Sequence, residues 1–486
     1  MVRSARCQRA LVAALILLPS LSAGADEPLW YGGAAADKRR AVMEAALAAA
    51  PAHGLDFVIP SVAATSGDAG FNAAALKYVA ALGGGVVPLP VLGKDWAFPP
   101  PDNDAAGLLA GAIRGDSLPA LLETLPPSDP QYRRLMDALA RYRAIVQRGG
   151  WAVLAPSVSD FMLSPADALA LRTRLAAEGY VTGEDTDLVQ AVRAFQFTHD
   201  LEVDGRIGRA TLAELNISAS ARAAQIAVNL ERWRLLPRRV EGRRIVVNVP
   251  AARLDVVDGT QAVVQMRVID GDSKHPTPSF TARITAVTFN PPWNVPASIA
   301  GKEMLPQLKR HPSYLADHNM VILDRPGDPF GQTVNWADYR AGRFPFRLQQ
   351  LPGAKNSLGT VKFEMADPFS VYLHDTPARA LFARAVRSLS HGCVRVERPE
   401  ELAALLLENP STTDITTAIA AGSTQTVTLP RPMPVYLYYL TVTVGDKQEV
   451  NFHPDVYKRD AAIAEALGFN GHEGEERKPF TAEACS

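Results

Sequence analysis

Cysteine is scarce in this sequence, which has three cysteines, Cys7, Cys393 and Cys485, among 486 residues. Small exported domains that depend on disulfides carry a denser, paired set of cysteines, so this pattern excludes a disulfide framework. Cys7 and Cys485 lie close to the two ends of the chain. Cys393 is therefore the one thiol placed for a role inside the fold.

An excess of charge of one sign is also missing. Lysine and arginine number 50, aspartate and glutamate number 51, and the formal net charge is -1 at pH 7. This balance gives no general electrostatic attraction to nucleic acid or to an acidic membrane, so neither is expected as a partner. The hydrophobic content of 47% is enough to build real cores. A chain of this length predicts three or four folded units.

Long apolar runs are absent beyond the start of the chain. Residues 1–25 are typical of a secretory signal, with arginines at the start, an apolar run Leu11–Leu21 and small residues up to Ala25. We expect cleavage before Asp26 and export of the mature chain, with Cys7 lost in the signal; an uncleaved anchor is the alternative. No later run reaches 18 apolar residues, so no further membrane span is expected.

The N-terminal half is predicted to be helical. Residues 26–150 are rich in Ala and Leu, and Arg39–Ala50 and Tyr132–Val146 have the spacing of amphipathic helices. Residues 160–217 predict three short helices, the first capped by Ser164 and followed by Pro165. The sequence 221–235 predicts a helix that links this half to the C-terminal half.

Beyond residue 243 the pattern changes from helical to strand-like. Segments rich in Val and Ile alternate with turn signals, of which Asp258-Gly259 is the strongest. We predict a mostly β domain over residues 243–425, interrupted by an insertion at 297–350. Residues 426–486 predict C-terminal strands and a polar tail, and Pro430, Pro432 and Pro434 favour an edge strand. The fold class expected from the whole chain is α+β and multidomain.

The most informative stretch holds Cys393 after two histidines. His374 lies nineteen positions upstream of Cys393, and His391 lies two positions upstream. A free thiol has a pKa of ~8.5, whereas the nucleophile is the thiolate. A nearby imidazole can take the thiol proton and later return it to a leaving amine. Gly392 lets the backbone approach a substrate and aim N–H groups at a developing oxyanion.

Two structural alternatives compete with this interpretation. A single interior cysteine or histidine is commonly an inert residue of a core. A zinc site is also conceivable, since His374, His391 and Cys393 supply three ligand types, but no further cluster with metal-site spacing is evident. The three residue types in one motif favour catalysis, and no metal or organic cofactor is expected. A disulfide between Cys393 and Cys485 would block this chemistry and is not expected.

The motif resembles the signature of the YkuD-type L,D-transpeptidases, in which a histidine and a spacer precede Ser/Thr-His-Gly-Cys, a hydrophobic residue and Arg. The matching residues are His374, Ser390, His391, Gly392, Cys393, Val394 and Arg395. One departure is Arg398, where many members carry Asn. The resemblance implies that Cys393 is the nucleophile, that His374 is the general base and then the general acid, and that the backbone carbonyl of Asp375 orients the imidazole.

The same resemblance implies roles for the residues around the thiol. His391, Gly392 and Cys393 would shape the oxyanion pocket through backbone N–H groups. Ser390 is expected to contact substrate. For Arg395 the alternatives are ordering the loop or meeting a stem-peptide carboxylate. For Tyr372 they are substrate contact and core packing.

Other regions resemble parts of the larger periplasmic members of this family. Residues 26–150 resemble their helical scaffold domain, and residues 160–217 resemble the peptidoglycan-binding domain of type 1, with a simple three-helix spacer as the alternative. The insertion at 297–350 resembles their capping subdomain. Its position predicts a mobile lid over the cleft. The alternative is a structural insertion that does not move.

The function that the resemblance implies is a peptidoglycan L,D-transpeptidase in the periplasm, acting on stem peptides of the glycan strands and working among other wall-synthesis proteins. A thioester on Cys393 would lead to 3→3 crosslinks, and carbapenems would acylate the same thiol. The sequence leaves open whether the acceptor is a stem amine, a lipoprotein lysine, a free D-amino acid or water. The rival hypotheses are a hydrolytic or metal-dependent peptidase and a non-catalytic wall-binding scaffold.

Overall fold

The structure is a computed structural model that describes residues 29–60, 67–159, 163–183, 185–238, 240, 242–408 and 412–469. The predicted signal at 1–25, Cys7, Cys485 and the polar tail from residue 471 lie outside the described residues. Within these ranges helices dominate the N-terminal half and strands dominate the C-terminal half. The predicted α+β multidomain fold class is confirmed.

The helical half contains two groups of helices and one long helix after them. The bounds are α1 (Ala34–Ala48), α2 (Gly67–Gly84), α3 (Ala105–Arg114), α4 (Leu118–Thr124), α5 (Pro130–Gln147), α6 (Pro165–Ala177), α7 (Leu188–Thr198), α8 (Arg209–Leu215) and α9 (Ala219–Leu235). Helices α1 to α4 bury one apolar core around Trp30, Phe71 and Leu82. Helix α5 packs along α9 in a second core.

Helices α6 to α8 form a compact group around Leu171, Val192 and Phe195. The predicted cap is present, since the Ser164 hydroxyl accepts a hydrogen bond from the Asp167 N–H, 3.1 Å away. Such a cap satisfies a backbone donor that the first helical turn leaves without a partner. The start of α6 is therefore fixed by its local sequence.

Helix α9 lies at the centre of the helical half and buries charged side chains. The Glu231 carboxylate accepts from the backbone N–H groups of Val86 and Val87, at 2.6 and 2.7 Å. Arg234 lies 2.7 Å from Glu231, and both side chains are 0% exposed. Arg234 also donates to the Tyr132 hydroxyl, 2.9 Å away. These bonds join α9 to α5 and to the segment after α2.

The C-terminal half contains the strands and the remaining helices. The strands are β1 (Arg244–Asn248), β2 (Arg253–Asp258), β3 (Gln261–Gly271), β4 (Thr281–Phe289), β5 (Trp293–Asn294), β6 (Met320–Ile322), β7 (Leu348–Gln350), β8 (Val361–Met365), β9 (Leu373–His374), β10 (Ser388–Ser390), β11 (Val394–Val396), β12 (Gln425–Tyr438), β13 (Val442–Val444) and β14 (Val450–Phe452). The helices are α10 (Ala297–Ile299), α11 (Leu305–Arg310), α12 (Tyr314–Asp317), α13 (Pro399–Leu406), α14 (Thr412–Ala420) and α15 (Asp460–Ala466).

The main sheet closes on itself. Its strands follow the order β10-β3-β11-β9-β8-β4-β12-β1-β2, and β2 pairs back with β3. Strand β10 lies outside this ring and pairs with the C-terminal end of β3. The ring encloses fully buried side chains from many strands, among them Ile245, Leu254, Phe363, Leu373 and Val394. The closed ring places β9 and β11 side by side.

The insertion between β4 and β8 has a small core of its own. Strands β5, β7 and β6 form a separate three-stranded sheet, and the helices of the insertion pack Met304, Leu308 and Trp336 beneath it. A π-helix, Ala300–Met304, connects α10 to α11. Isolated π-turns inside helices frequently occur at functional sites. We call the segment from Trp293 to Gln350 the cap.

Strand β12 is an interior strand of the ring, paired with β1 and β4. The sheet therefore extends through Tyr438, past the predicted domain boundary at residue 425. The pairing with β1 begins at Val435, opposite Ile245. All three prolines precede that point: Pro430 and Pro432 lie in an irregularity of the pairing with β4, between Thr428 and Met433, and Pro434 lies opposite Arg283 of β4. The prediction of an edge strand was wrong for β12 as a whole, although its prolines all lie before the part of the strand that is paired on both sides.

The chain returns to the helical half after β12. Strands β13 and β14 pack Val442 and Phe452 into the core that α5 and α9 share. Helix α15 places Ile463 in the core of α1 to α4. Asp460 at the start of α15 lies 2.6 Å from the buried Arg232 of α9. The C-terminal segment is thus part of the helical body in space.

One helical stretch in the described part of the chain, Gly67–Leu92, is long and apolar enough to cross a bilayer by length and composition. It contains α2, whose Phe71, Tyr78 and Leu82 are buried in the helical core. A buried core helix meets the same criterion. The expectation that no span comes after the signal stays a prediction.

The buried pair of α9 predicts a large effect on stability. Arg234→Met leaves the Glu231 carboxylate buried without its cation, which typically costs about 3–5 kcal/mol. The variant Arg40→Met, which loses the partly exposed pairs with Asp37 and Glu44, is the control and should cost under about 1 kcal/mol. Urea unfolding followed by tryptophan fluorescence measures both. Equal unfolding midpoints for the two variants would contradict the central role of α9.

Candidate active site

Strands β9 and β11 bring the sequence motif together. They run parallel, with Leu373 opposite Val394 and His374 opposite Arg395. Because side chains alternate along a strand, Leu373 and Val394 enter the core, and His374 and Cys393 lie on the other face. Cys393 comes two residues before Arg395, the residue opposite His374. In ideal strand geometry, with ~4.8 Å between strands and ~3.3 Å per residue, the Cα atoms of such diagonal neighbours lie about 8 Å apart. The described structure shows no hydrogen bond between His374 and Cys393.

His374 is held in one tautomer. Its Nδ1 lies 2.5 Å from the backbone oxygen of Asp375, and its side chain is buried. A carbonyl oxygen only accepts, so Nδ1 carries the hydrogen and Nε2 of the neutral ring is left as an acceptor. Burial, and next the charge of Arg395, lower the pKa of His374 to about 3. At neutral pH the imidazole is therefore uncharged and able to accept a proton.

The Asp375 side chain fixes the backbone that holds His374. Its Oδ2 accepts from the Thr360 N–H at 2.9 Å and from the Thr360 hydroxyl at 3.1 Å, and its Oδ1 pairs with Arg379 at 3.0 Å. Gly359 leaves room for this carboxylate, since a Cβ there would lie 2.2 Å from Asp375 Oδ2. The Asp375 carboxylate acts on the site by positioning the carbonyl of its own residue.

Cys393 is a half-buried free thiol that Tyr372 contacts. Burial raises the pKa of the Cys393 thiol, while hydrogen bonds from the backbone N–H and the hydroxyl of Tyr372 act in the opposite direction. The sulfur lies 4.0 Å from the Ser370 carbonyl oxygen, a long contact for the thiol hydrogen. The Tyr372 ring lies 5.6 Å from the His374 ring, between centroids. Tyr372 therefore touches both members of the proposed pair.

The loop that carries Cys393 is held from within. The Ser390 hydroxyl donates to the Cys393 carbonyl at 2.6 Å and accepts from the Gly392 N–H at 3.1 Å. Gly392 has a φ of 107°, which disfavours any residue with a side chain. Thr277 donates to the Gly392 carbonyl, 2.8 Å away. Ser390 is 2% exposed, so its placement supports a positioning role instead of the substrate contact that the motif suggested.

This loop also changes the expected oxyanion donors. The Gly392 N–H is already bonded to Ser390, whereas the Cys393 N–H has no protein acceptor in the ranges that the structure describes. The Cys393 N–H is thus better placed than that of Gly392 to meet a negative oxygen.

His391 faces the cap. Its Nε2 lies 2.9 Å from the carboxylate of Glu303, which belongs to the π-helix. Its ring lies 4.5 Å from the His275 ring, and His275 in turn contacts Asp272 at 3.1 Å. His391 therefore connects the cap to the loop that carries Cys393. Within the described ranges no group of three His, Cys, Asp or Glu residues is arranged to hold a metal ion.

A cavity of ≈ 750 Å³ lies beside the end of β9. Asp375, Thr376, Arg379, Glu397 and Arg398 are among its lining residues, but Cys393 and His374 are not. Arg398, the departure from the family pattern, donates to Glu401 and pairs with Glu397 at 3.3 Å. The cavity is therefore distinct from the face that carries the thiol.

Three family models match separate parts of the chain. Residues 242–428 match a family described as the L,D-transpeptidase catalytic domain. Residues 22–139 match a scaffold domain, and residues 164–215 match a family described as "Putative peptidoglycan binding domain".

Known proteins also match parts of this chain. A Haemophilus influenzae protein described as "Putative L,D-transpeptidase" is 36% identical over 244 residues, or 49% of this chain and 48% of that protein, so the match spans about half of the relative. A solved L,D-transpeptidase from Xylanimonas cellulosilytica is 16% identical, with 59% of this chain and 96% of that chain covered, at a TM-score of 0.19. One from Stackebrandtia nassauensis is 12% identical, with 58% and 97% covered, at 0.22.

The pKa of His374 predicts a pH dependence of stability. Between about pH 3 and pH 6.5 the unfolded chain binds a proton that the folded His374 does not, so the free energy of unfolding falls as the pH is lowered through this window. The slope for one such proton is about 1.4 kcal/mol per pH unit. His374→Gln should lose up to this slope, measured by urea unfolding at several pH values.

The matched control is His311→Gln, which changes an exposed histidine of the cap. Other buried histidines, His53 and His199, contribute equally to every variant and cancel in the comparison. If His374→Gln keeps the wild-type slope, His374 is not buried as a neutral ring.

Proposed function

We propose that this chain, whose residues 242–428 match the L,D-transpeptidase catalytic-domain family, forms 3→3 crosslinks in peptidoglycan through a thioester on Cys393. The observation that supports this most directly is the pairing of β9 with β11. It places a thiol and a neutral, tautomer-fixed imidazole on one face of the sheet.

The first half-reaction acylates the enzyme. His374 Nε2 takes the proton from Cys393 Sγ, and the sulfur attacks the carbonyl carbon of the third, diamino acid residue of a tetrapeptide stem. The C–N bond to the terminal D-Ala then breaks, and His374 returns the proton to that amine. Nucleophile and base are commonly not yet hydrogen-bonded before substrate binds, as is the case here.

The second half-reaction transfers the acyl group. An acceptor amine attacks the thioester carbon, the C–S bond breaks, and the proton of the amine returns to the sulfur by way of His374. The amine of a neighbouring stem is the proposed acceptor. A lipoprotein lysine or a free D-amino acid would react in the same way, and water would give hydrolysis.

Two groups are proposed to interact with negative charge on the substrate. The Cys393 N–H is the proposed oxyanion donor, because it lies in the loop that Ser390 and Thr277 hold. Arg395 lies opposite His374, and its buried Nε has no partner in the described ranges. An unpartnered guanidinium favours contact with a stem-peptide carboxylate over ordering of the loop.

The other domains support a location at the cell wall. The matches at residues 22–139 and 164–215 are the basis for proposing a periplasmic protein that holds glycan strands while the catalytic domain works on stem peptides. We propose that the signal at residues 1–25 is removed on export. Other wall-synthesis proteins are the expected partners.

The test is turnover of tetrapeptide muropeptides by purified mature protein, with crosslinked dimers detected by mass spectrometry. Cys393→Ala should abolish dimers, and His374→Ala should slow their formation by about 10²–10⁴-fold. His311→Ala, on the exposed surface of the cap, should retain the wild-type rate. Dimers formed by Cys393→Ala would contradict the mechanism, and full activity in His374→Ala would contradict the base.

The same protein distinguishes the rival functions. A carbapenem should add its mass to Cys393, located by peptide mapping. Activity that is lost with a chelator but survives alkylation of the thiol would favour a metal-dependent peptidase. Binding to sacculi with no turnover and no adduct would favour a scaffold.

A further inference from the structure

A row of polar side chains crosses the sheet at the level of His374. Lys362 on β8 lies opposite His374, Thr288 on β4 lies opposite Lys362, and Thr426 on β12 lies opposite Thr288. With Arg395 on β11, the row spans five neighbouring strands. Directly opposed residues project to the same face of a sheet. Lys362 is therefore on the face that carries the proposed catalytic pair.

Lys362 is held at a defined place on this face. Its Nζ lies 2.7 Å from Glu364 Oε2 and 4.6 Å from the centre of the Tyr372 ring. The Glu364 carboxylate is in turn fixed by the Thr288 hydroxyl, 2.8 Å away. A cation over a tyrosine ring is attracted to the ring face, which also restricts how the ring can turn. The ring so held is the one whose hydroxyl contacts the Cys393 sulfur.

The charge of Lys362 also acts on the two reacting groups. The groups that bear on the Cys393 sulfur are Tyr372, Asp367, Lys362 and Arg395. Among them, Lys362 lowers the pKa of the thiol, whereas Asp367 raises it. Lys362 and Arg395 lower the pKa of His374 as well. Because the described structure shows no hydrogen bond between Cys393 and His374 before substrate binds, the reactivity of the free thiol depends on the charges around the sulfur, and the positive charge of Lys362 favours the thiolate.

We propose that Lys362 is a positioning residue that sets the reactivity of the Cys393 thiol, by holding Tyr372 against the sulfur and by placing a positive charge beside it. Glu364 opposes this effect, because it partly neutralises the ammonium. The inference rests on the proposed role of Cys393 as nucleophile. It adds a residue pair on β8 that the motif does not contain.

The experiment measures how fast iodoacetamide alkylates Cys393 in the full chain between about pH 6 and pH 10, the range around a free thiol pKa of ~8.5. Peptide mapping assigns the adduct to Cys393. Lys362→Met keeps an unbranched side chain without the charge, Lys362→Arg keeps the charge and the ring contact, and Glu364→Gln removes the counter-charge. Lys355→Met, at an exposed lysine whose Nζ contacts the Asp317 carbonyl at 3.1 Å, is the matched control.

In Lys362→Met the midpoint of the alkylation profile should rise by on the order of one pH unit, and alkylation at pH 7 should slow about tenfold. Lys362→Arg should stay within about twofold of wild type. Glu364→Gln should move the midpoint downward, and Lys355→Met should leave it in place. Opposite shifts for Lys362→Met and Glu364→Gln are not expected from a loss of packing alone.

An unchanged midpoint in Lys362→Met, or an equal shift in Lys362→Arg, would overturn the inference. If Lys362→Met fails to fold, the pair Lys362→Arg and Glu364→Gln decides, because an upward shift in Glu364→Gln contradicts it. Muropeptide turnover by the wild type tests the proposed function separately. If the wild type forms no dimers while Lys362→Met and Glu364→Gln still move the alkylation midpoint in opposite directions, the proposed function is contradicted and the role of Lys362 stands.

Discussion

Parallel pairing between β9 and β11 holds the thiol and the imidazole on one face, and much of the surrounding structure serves this pairing. Strand β9 has two residues, Leu373 and His374, so its own ladder is short. Leu373 is anchored in the closed core, and His374 is tied to the Asp375 carbonyl. The Asp375 carboxylate is fixed by Thr360, the residue directly before the neighbouring strand β8. A short strand is thus held by its neighbours on both sides and by the turn at its end.

The order of the segments in space differs from their order in the chain. After the last strand of the ring, the chain re-enters the helical half and contributes Phe452 and Ile463 to two of its cores. Helix α9 contacts both the early helices and this returning segment, through Glu231 and through Arg232. The helical half is therefore complete only after the catalytic domain has been crossed. Neither of these two helical cores is formed by one continuous stretch of the chain. The folding of the helical half therefore depends on the segment that follows the catalytic domain.

The sequence predicted those features that depend on residues close together in the chain, such as helix caps and short motifs. The Ser164 cap is present, and the motif predicted that His374 and Cys393 act together; His374 lies on β9, and Cys393 comes directly before β11, the strand that pairs with β9. The features that depend on which strands pair, and in which register, could not be predicted from the sequence. Lys362 joins the site because β8 pairs antiparallel with β9, and Glu303 meets His391 because the cap folds back over the loop. Neither pairing leaves a signal in spacing or composition. The three prolines of β12 suggested an edge strand for the same reason, because nothing local shows that β1 joins only beyond them.

The contact between Glu303 and His391 depends on the one extra residue that the π-helix of the cap contains. A π-turn contains one residue more than the α-turn it replaces, and each residue of an α-helix turns the chain by about 100°. Glu303 lies inside this wider turn, upstream of α11. Deleting one residue between Ala300 and Met304 would restore a regular helix and rotate the carboxylate away from His391. Relatives whose caps differ here by one residue would keep the same apolar packing beneath the cap and yet lose its polar tether to the thiol loop.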